Sequence, residues 1–118
     1  MTAADSTART LAGQTAWITG SSRGLGRVMA EELARLGARV AVHGSRPDSP
    51  TTFGEGTTMD QLSNDIARGC DADVMAVHGD VTCEADVARN VAEIRQRWGR
   101  IDILVCCAGG DIGAGGTG

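Results

Sequence analysis

The chain has 118 residues, 42% of them hydrophobic and 22% charged, with a formal net charge of −4. That length allows one core and hence one domain. The negative balance argues against a nucleic-acid partner, whose affinity draws on concentrated positive charge, and no apolar run approaches the ~20 residues that a membrane helix needs.

Residues 1–12 are small and polar without an apolar signal core, so they read as a flexible tail and not a secretory leader, with the cytoplasm as default address. Residues 15–19 are a short run of β-formers that stops at Gly20-Ser21-Ser22-Arg23-Gly24-Leu25-Gly26, a strand entering a tight turn. Beyond the turn, Leu25, Val28, Met29, Leu33 and Leu36 fall at helical spacing and predict the inward face of a helix, with Gly37 placed to cap it. Residues 39–43 predict a second strand, and residues 44–58, rich in Ser, Thr, Gly and Pro, a surface loop.

A helix is expected over 59–68 and a third strand over 74–78. Thr82 is placed to cap the next helix, with Glu84 and Asp86 in its first turn, where the helix dipole favours carboxylates. That helix should turn Val87, Val91, Ile94 and Trp98 inward and stop at Gly99. Residues 101–106 are apolar enough to predict a fourth strand buried on both faces.

Strands alternating with helices of this length predict an α/β fold, a doubly wound parallel sheet with right-handed crossovers and strand order 3-2-1-4. The domain covers residues 13–110, and residues 111–118 form a glycine-rich flexible end. In such a sheet a ligand sits at the carboxyl ends of the strands where the order reverses, here the first and fourth. The glycine loop suits an anion, because glycines let the backbone approach it and the following helix contributes ~0.3–2 kcal/mol through its dipole. Taken alone, the same loop also fits a plain structural turn.

Cys70, Cys83, Cys106 and Cys107 lack the spacing of a zinc site, so they are expected to be buried free thiols with no metal, and Cys106 and Cys107, at the end of a buried strand, to be reduced and poorly reactive in the folded full-length protein.

Three segments occur in a telling order: Thr19-Gly20-x-x-x-Gly24-x-Gly26, then Asp80-Val81 after the third strand, then Gly99-Arg100-Ile101-Asp102-Ile103-Leu104-Val105-Cys106-Cys107-Ala108-Gly109. Together they resemble the N-terminal, dinucleotide-binding half of a short-chain dehydrogenase/reductase, a Rossmann-like fold, over residues 11–110. The resemblance implies that the loop of Gly20, Ser22, Arg23, Gly24, Leu25 and Gly26 holds the cofactor phosphates. It further implies that Asp80 and Val81 meet the adenine, and that Cys107, Ala108 and Gly109 line the adenosine side. The family usually has Asn-Asn-Ala-Gly where this chain has Cys106-Cys107-Ala108-Gly109, so amide contacts from those two side chains are replaced by thiols.

NAD-specific members carry an acid after the second strand, whereas this chain has His43-Gly44-Ser45-Arg46. Arg23 and Arg46 are placed to flank a 2′-phosphate, with Ser45 and His43 beside it, which favours NADP(H) with NAD(H) as the alternative cofactor. Arg46 also fits a solvated loop charge. His43 and His78 read as strand-end residues near a ligand, not as catalytic groups.

The family's chemistry uses a tyrosine, a lysine four residues on and a serine. This chain has no tyrosine, and all 11 of its basic residues are arginine. No catalytic residue is therefore assigned, and the chain alone is expected to be inactive. It reads as part of a longer oxidoreductase that transfers hydride between NADP(H) and an unidentified small alcohol or carbonyl substrate, a homo-oligomer when complete. A stand-alone nucleotide-binding or redox-sensing module and one chain of a split enzyme are the alternatives.

Overall fold

The computed structural model describes residues 10–22, 24–45 and 58–107. Strands β1 (Thr15–Thr19), β2 (Arg39–Gly44), β3 (Val74–His78) and β4 (Ile103–Cys106) alternate with helices α1 (Gly24–Arg35), α2 (Met59–Cys70) and α3 (Glu84–Trp98). All pairings are parallel and the order is β3-β2-β1-β4, as the sequence predicts.

Successive strand residues point to opposite faces, and the core divides accordingly. Ile18, Val40 and Val42 pack with Ala30, Ala34, Leu62 and Ile66 of α1 and α2 on one face. Trp17, Ala41 and Val77 pack with Ile94 of α3 on the other. The change of face follows from topology. The first two crossovers step outward from β1 to β3 and the third steps back past β1, so crossovers of one hand must pass over opposite faces.

The inward face of α1 differs from the sequence expectation. Gly26, Ala30 and Ala34 are buried, whereas Leu25 is 71% and Val28 57% exposed. A small residue every fourth position brings the helix close to the sheet, and the larger side chains are left at the rim. The long periodicity of leucines masked this shorter Gly/Ala stripe. Helix α2 runs two residues past the expected end, because the left-handed position falls on Asp71 (φ 53°) and not on Gly69. Its N-cap Thr58 accepts the Gln61 amide at 3.2 Å.

Two further expectations are corrected at α3 and β4. The N-cap of α3 is Cys83, which makes no side-chain capping bond, while the Thr82 hydroxyl turns back to Asp80. Strand β4 is shorter than expected and open on one face: Ile103 and Val105 pack against the α1/α2 core, but Leu104 is 56% exposed and Cys106 is exposed. Helix α3 covers β1, β2 and β3, and among the described residues nothing covers β4 on that side. The four thiols are free but not buried, since Cys83 and Cys106 are exposed and Cys70 and Cys107 half-buried.

Carboxylates close the amino ends of the strands. Asp102 accepts the Thr15 amide at 2.8 Å and returns its own amide to the Thr15 carbonyl. Asp73 accepts from Trp98 Nε1 and from Arg97, both at 2.8 Å, fastening the end of α3 to the start of β3. No described helix is long and apolar enough to cross a membrane.

Candidate functional site

The turn from β1 into α1 is built on close backbone approach. A β-carbon on Gly26 would lie 2.3 Å from the Gly20 carbonyl oxygen, so only glycine fits there. Gly24 has φ +64°, a left-handed conformation that glycine adopts without cost. Among the described residues other than its chain neighbours, no atom lies within 4 Å of where a Gly24 β-carbon would sit. First-turn amides of a helix lack intrahelical acceptors, and the first turn of α1 carries no acidic residue, in contrast with α2 and α3. An anion at this end would thus meet the positive end of the helix dipole without a carboxylate of the first turn competing for it.

His43, at the end of β2, ties this turn to the rest of the sheet edge. Its Nδ1 accepts the Gly20 amide at 2.9 Å, and its Nε2 lies 2.9 Å from the Gly79 carbonyl oxygen. Its backbone amide donates to Ser21 Oγ and its carbonyl accepts the Ser21 amide, each at 2.8 Å. Ser21 Oγ in turn donates to the Ile18 carbonyl at 2.7 Å. Burial holds the imidazole below the ordinary histidine value, although the Gly79 bond pulls the other way and His78 adds to the lowering. Both ring nitrogens are engaged within the chain and the residue is 2% exposed, so His43 shapes the site from behind.

His78 occupies the same position in the echoed Ala-Val-His-Gly segment but is exposed. The strands pair one residue out of step with that echo, His43 opposite Val77 and His78 opposite Gly44, which sends the two rings to opposite faces.

After β3, Asp80 Oδ1 accepts from the Thr82 amide at 2.8 Å and its hydroxyl at 2.6 Å. These two bonds, hydroxyl first, hold the exposed Asp80 carboxyl below the usual carboxylate range. The Asp80 amide donates to Asp86 Oδ2 at 2.8 Å, and Arg89 bonds both Asp86 and the His78 carbonyl. Val81 is 38% exposed beside this turn. At β4 the Cys107 amide donates to the Thr19 carbonyl at 3.1 Å, which places the end of β4 against the start of the glycine turn.

Of the residues singled out in the sequence, Gly20, Ser22, His43, Ser45, Asp80, Val81 and Cys107 lie at the carboxyl ends of the strands or in the turns that follow them, and Gly24, Leu25 and Gly26 in the first turn of α1. Arg23, Arg46, Ala108 and Gly109 lie outside the described residues. Ser21 and Gly79 were missed. The Ser21 hydroxyl is wholly buried, and its only sequence signal is a second serine in the loop. At Gly79, φ is +151° and a β-carbon would meet Arg89 and Asp86 at 2.8 and 2.9 Å.

A parallel sheet of this order, with a glycine turn and an uncluttered helix start beside the reversal point, defines a dinucleotide-binding fold. Residues 14–117 match the short chain dehydrogenase family, and the chain belongs to it. It is 40% identical over 99 residues to a sorbitol dehydrogenase of Cereibacter sphaeroides, covering 80% of this chain and 32% of that protein. It is 31% identical over 112 residues to a hydroxynaphthalene reductase-like protein of Metarhizium guizhouense, covering 95% and 39% respectively. The fold superposes with a TM-score of 0.69 on L-sorbose reductase from Gluconobacter frateurii, solved with NADPH and L-sorbose, at 27% identity over 82% of this chain and 34% of that one. The chain spans between 32% and 39% of the length of these proteins.

Proposed function

We propose that this chain supplies the cofactor half of an NADP(H)-dependent oxidoreductase that acts on a polyol or the corresponding ketose. The observation that carries the reading is the β1–α1 turn, where Gly26 closes on Gly20 while the space beside Gly24 is open among the described residues. A dinucleotide held there would give a hydride to the ketose or, in its oxidised form, accept one from the polyol. The chain's own residues bind and orient it: backbone amides of the turn and of the first α1 residues donate to the pyrophosphate, Arg23 and Arg46 flank the 2′-phosphate, and Asp80 and Val81 border the adenine. Cys107, Ala108 and Gly109 border the adenosine through their backbone.

The sugar-alcohol substrate class is supported by the sorbitol dehydrogenase and L-sorbose reductase to which the chain is similar. Proton transfer to the substrate oxygen needs a positioned acid or base, a contribution of ~100- to 10,000-fold. The family's tyrosine and lysine for that step have no counterpart in this sequence. The 118 residues alone therefore bind nucleotide without turning it over.

The cofactor assignment is tested by titrating NADPH and NADH against the native chain and Arg46→Asp. Losing one charge-assisted contact of ~1.5–3 kcal/mol should weaken NADPH binding about tenfold or more and leave NADH nearly unchanged. Equal loss for both cofactors, or tighter NADH binding by the native chain, would reverse the preference.

A further inference from the structure

We propose that His43 is a positioning residue that holds the phosphate turn in its binding shape only as the neutral imidazole, so that proton uptake by His43 releases the turn and weakens nucleotide binding. The inference rests on the dinucleotide reading above and adds a regulation to that site.

The hydrogen-bond partners leave one protonation state. A backbone N–H can only donate, so Nδ1, 2.9 Å from the Gly20 nitrogen, must be the bare acceptor nitrogen. A carbonyl oxygen can only accept, so Nε2, 2.9 Å from the Gly79 oxygen, must carry the proton. The imidazolium would set an Nδ1–H against the Gly20 N–H, donor facing donor. The ring is 2% exposed, so water cannot easily relieve that conflict. The structural response is separation of Gly20 from His43.

That movement reaches the ligand side directly. Gly20 opens the phosphate turn, and its carbonyl is the atom against which Gly26 closes, so displacing Gly20 unseats the start of α1. Ser21 is locked to the His43 backbone by two bonds and cannot follow independently. Through Gly79 the same ring also steadies the segment that leads into Asp80.

The groups around the ring set the direction. Trp17 of β1 meets it edge-on at 6.3 Å and is uncharged. His78 of β3 opposes a second positive charge. From α3, Asp86 and Arg89 flank Gly79, but they pair with each other at 3.2 Å and largely offset. Burial dominates and keeps the ring neutral down to a pH below its ordinary value of 6.5.

The experiment follows ring and turn together in the 15N-labelled 118-residue chain, alongside NADPH affinity, from pH 8 to 5. The expected result is an Nε2–H tautomer at pH 8, then joint movement of the His43 ring nitrogens and the Gly20 amide through one midpoint below 6.5, with affinity falling roughly tenfold across that midpoint. His43→Gln retains one donor and one acceptor but cannot titrate, so whatever affinity it has at pH 8 should lack the ring's pH dependence. Because the 2′-phosphate of NADPH itself titrates near pH 6, the readout is the pH dependence that native has and His43→Gln lacks. An Nδ1–H tautomer, a Gly20 amide indifferent to the ring's titration, or the same pH profile in His43→Gln would overturn the proposal. Absence of NADPH and NADH binding at pH 8 would instead refute the dinucleotide reading, and the ring and Gly20 shifts would then decide the coupling alone.

Discussion

Gly26 sits so close to Gly20 that a β-carbon on it would come within 2.3 Å of the Gly20 carbonyl oxygen and 3.0 Å of the Ser21 α-carbon. Both contacts are backbone, which cannot rotate away. Gly26→Ala should therefore destabilise the chain by about 1–3 kcal/mol, the usual cost of overpacking. Gly24→Ala meets open space and should lose only the ~1 kcal/mol or so of a left-handed alanine. Urea unfolding of the two variants checks the order, and a milder effect at position 26 would mean that the turn is looser than described.

Asp73 accepts from both Trp98 Nε1 and Arg97. All three groups are partly solvated, so Asp73→Ala should cost only about 0.5–1.5 kcal/mol. The sharper readout is optical, because the end of α3 loses its fastening and Trp98 gains water. Tryptophan emission of the folded variant should shift to the red, and an unchanged spectrum would show that the latch does not hold in solution.

Much of this architecture is legible in the sequence. The sequence bounds of β1 and β3 agree with the structure residue for residue, since short runs of β-formers bounded by polar residues and glycine have little else to become. Val87, Val91, Ile94 and Trp98 of α3 do face the sheet, the large apolar stripe outweighing Ala85, Ala88 and Ala92, but Asn90 is buried there too and no apolar count finds it. The face of α1 was not legible, because exposed Leu25 and Val28 outweigh Gly26, Ala30 and Ala34 on any hydrophobic count, although closeness of approach decided the packing. His43 was marked as part of the site on sequence, but its role was hidden. Its partners are backbone groups of Gly20 and Gly79, distant in the chain and without side chains to signal them.

Stability should fall in two stages on acidification. His43 is depressed below 6.5, so its contribution is complete above that value and is lost as pH falls through the lower folded value. Asp73 is held below 3.8: burial pushes it up, but hydrogen bonds from Trp98 and Arg97 outweigh that. Asp102 is lowered first by the Arg100 hydrogen bond and then by the Thr15 amide. Their contributions are complete above about 3.8 and are lost as pH falls through the folded values. Thermal midpoints of His43→Gln should lack the upper stage and keep the lower, and a single stage in the native chain would contradict this division.

The thiols should separate by position. Cys83 and Cys106 are exposed, whereas Cys70 is half-buried, donates to the Glu31 carbonyl at 3.6 Å and has its thiol pushed up by burial. Only the thiolate reacts, so mass-resolved alkylation should label Cys83 and Cys106 first and Cys70 last. Early labelling of Cys70 would place the end of α2 away from α1.

NADPH binding by the 118 residues themselves is measured by fluorescence titration at pH 8, with Gly26→Val as the reference. The native chain should bind saturably and one-to-one, without oxidising NADPH when ketoses are added, and Gly26→Val should lose that binding. No saturable binding by a folded native chain, or equal binding by Gly26→Val, would contradict the assignment of the β1–α1 turn as the cofactor site.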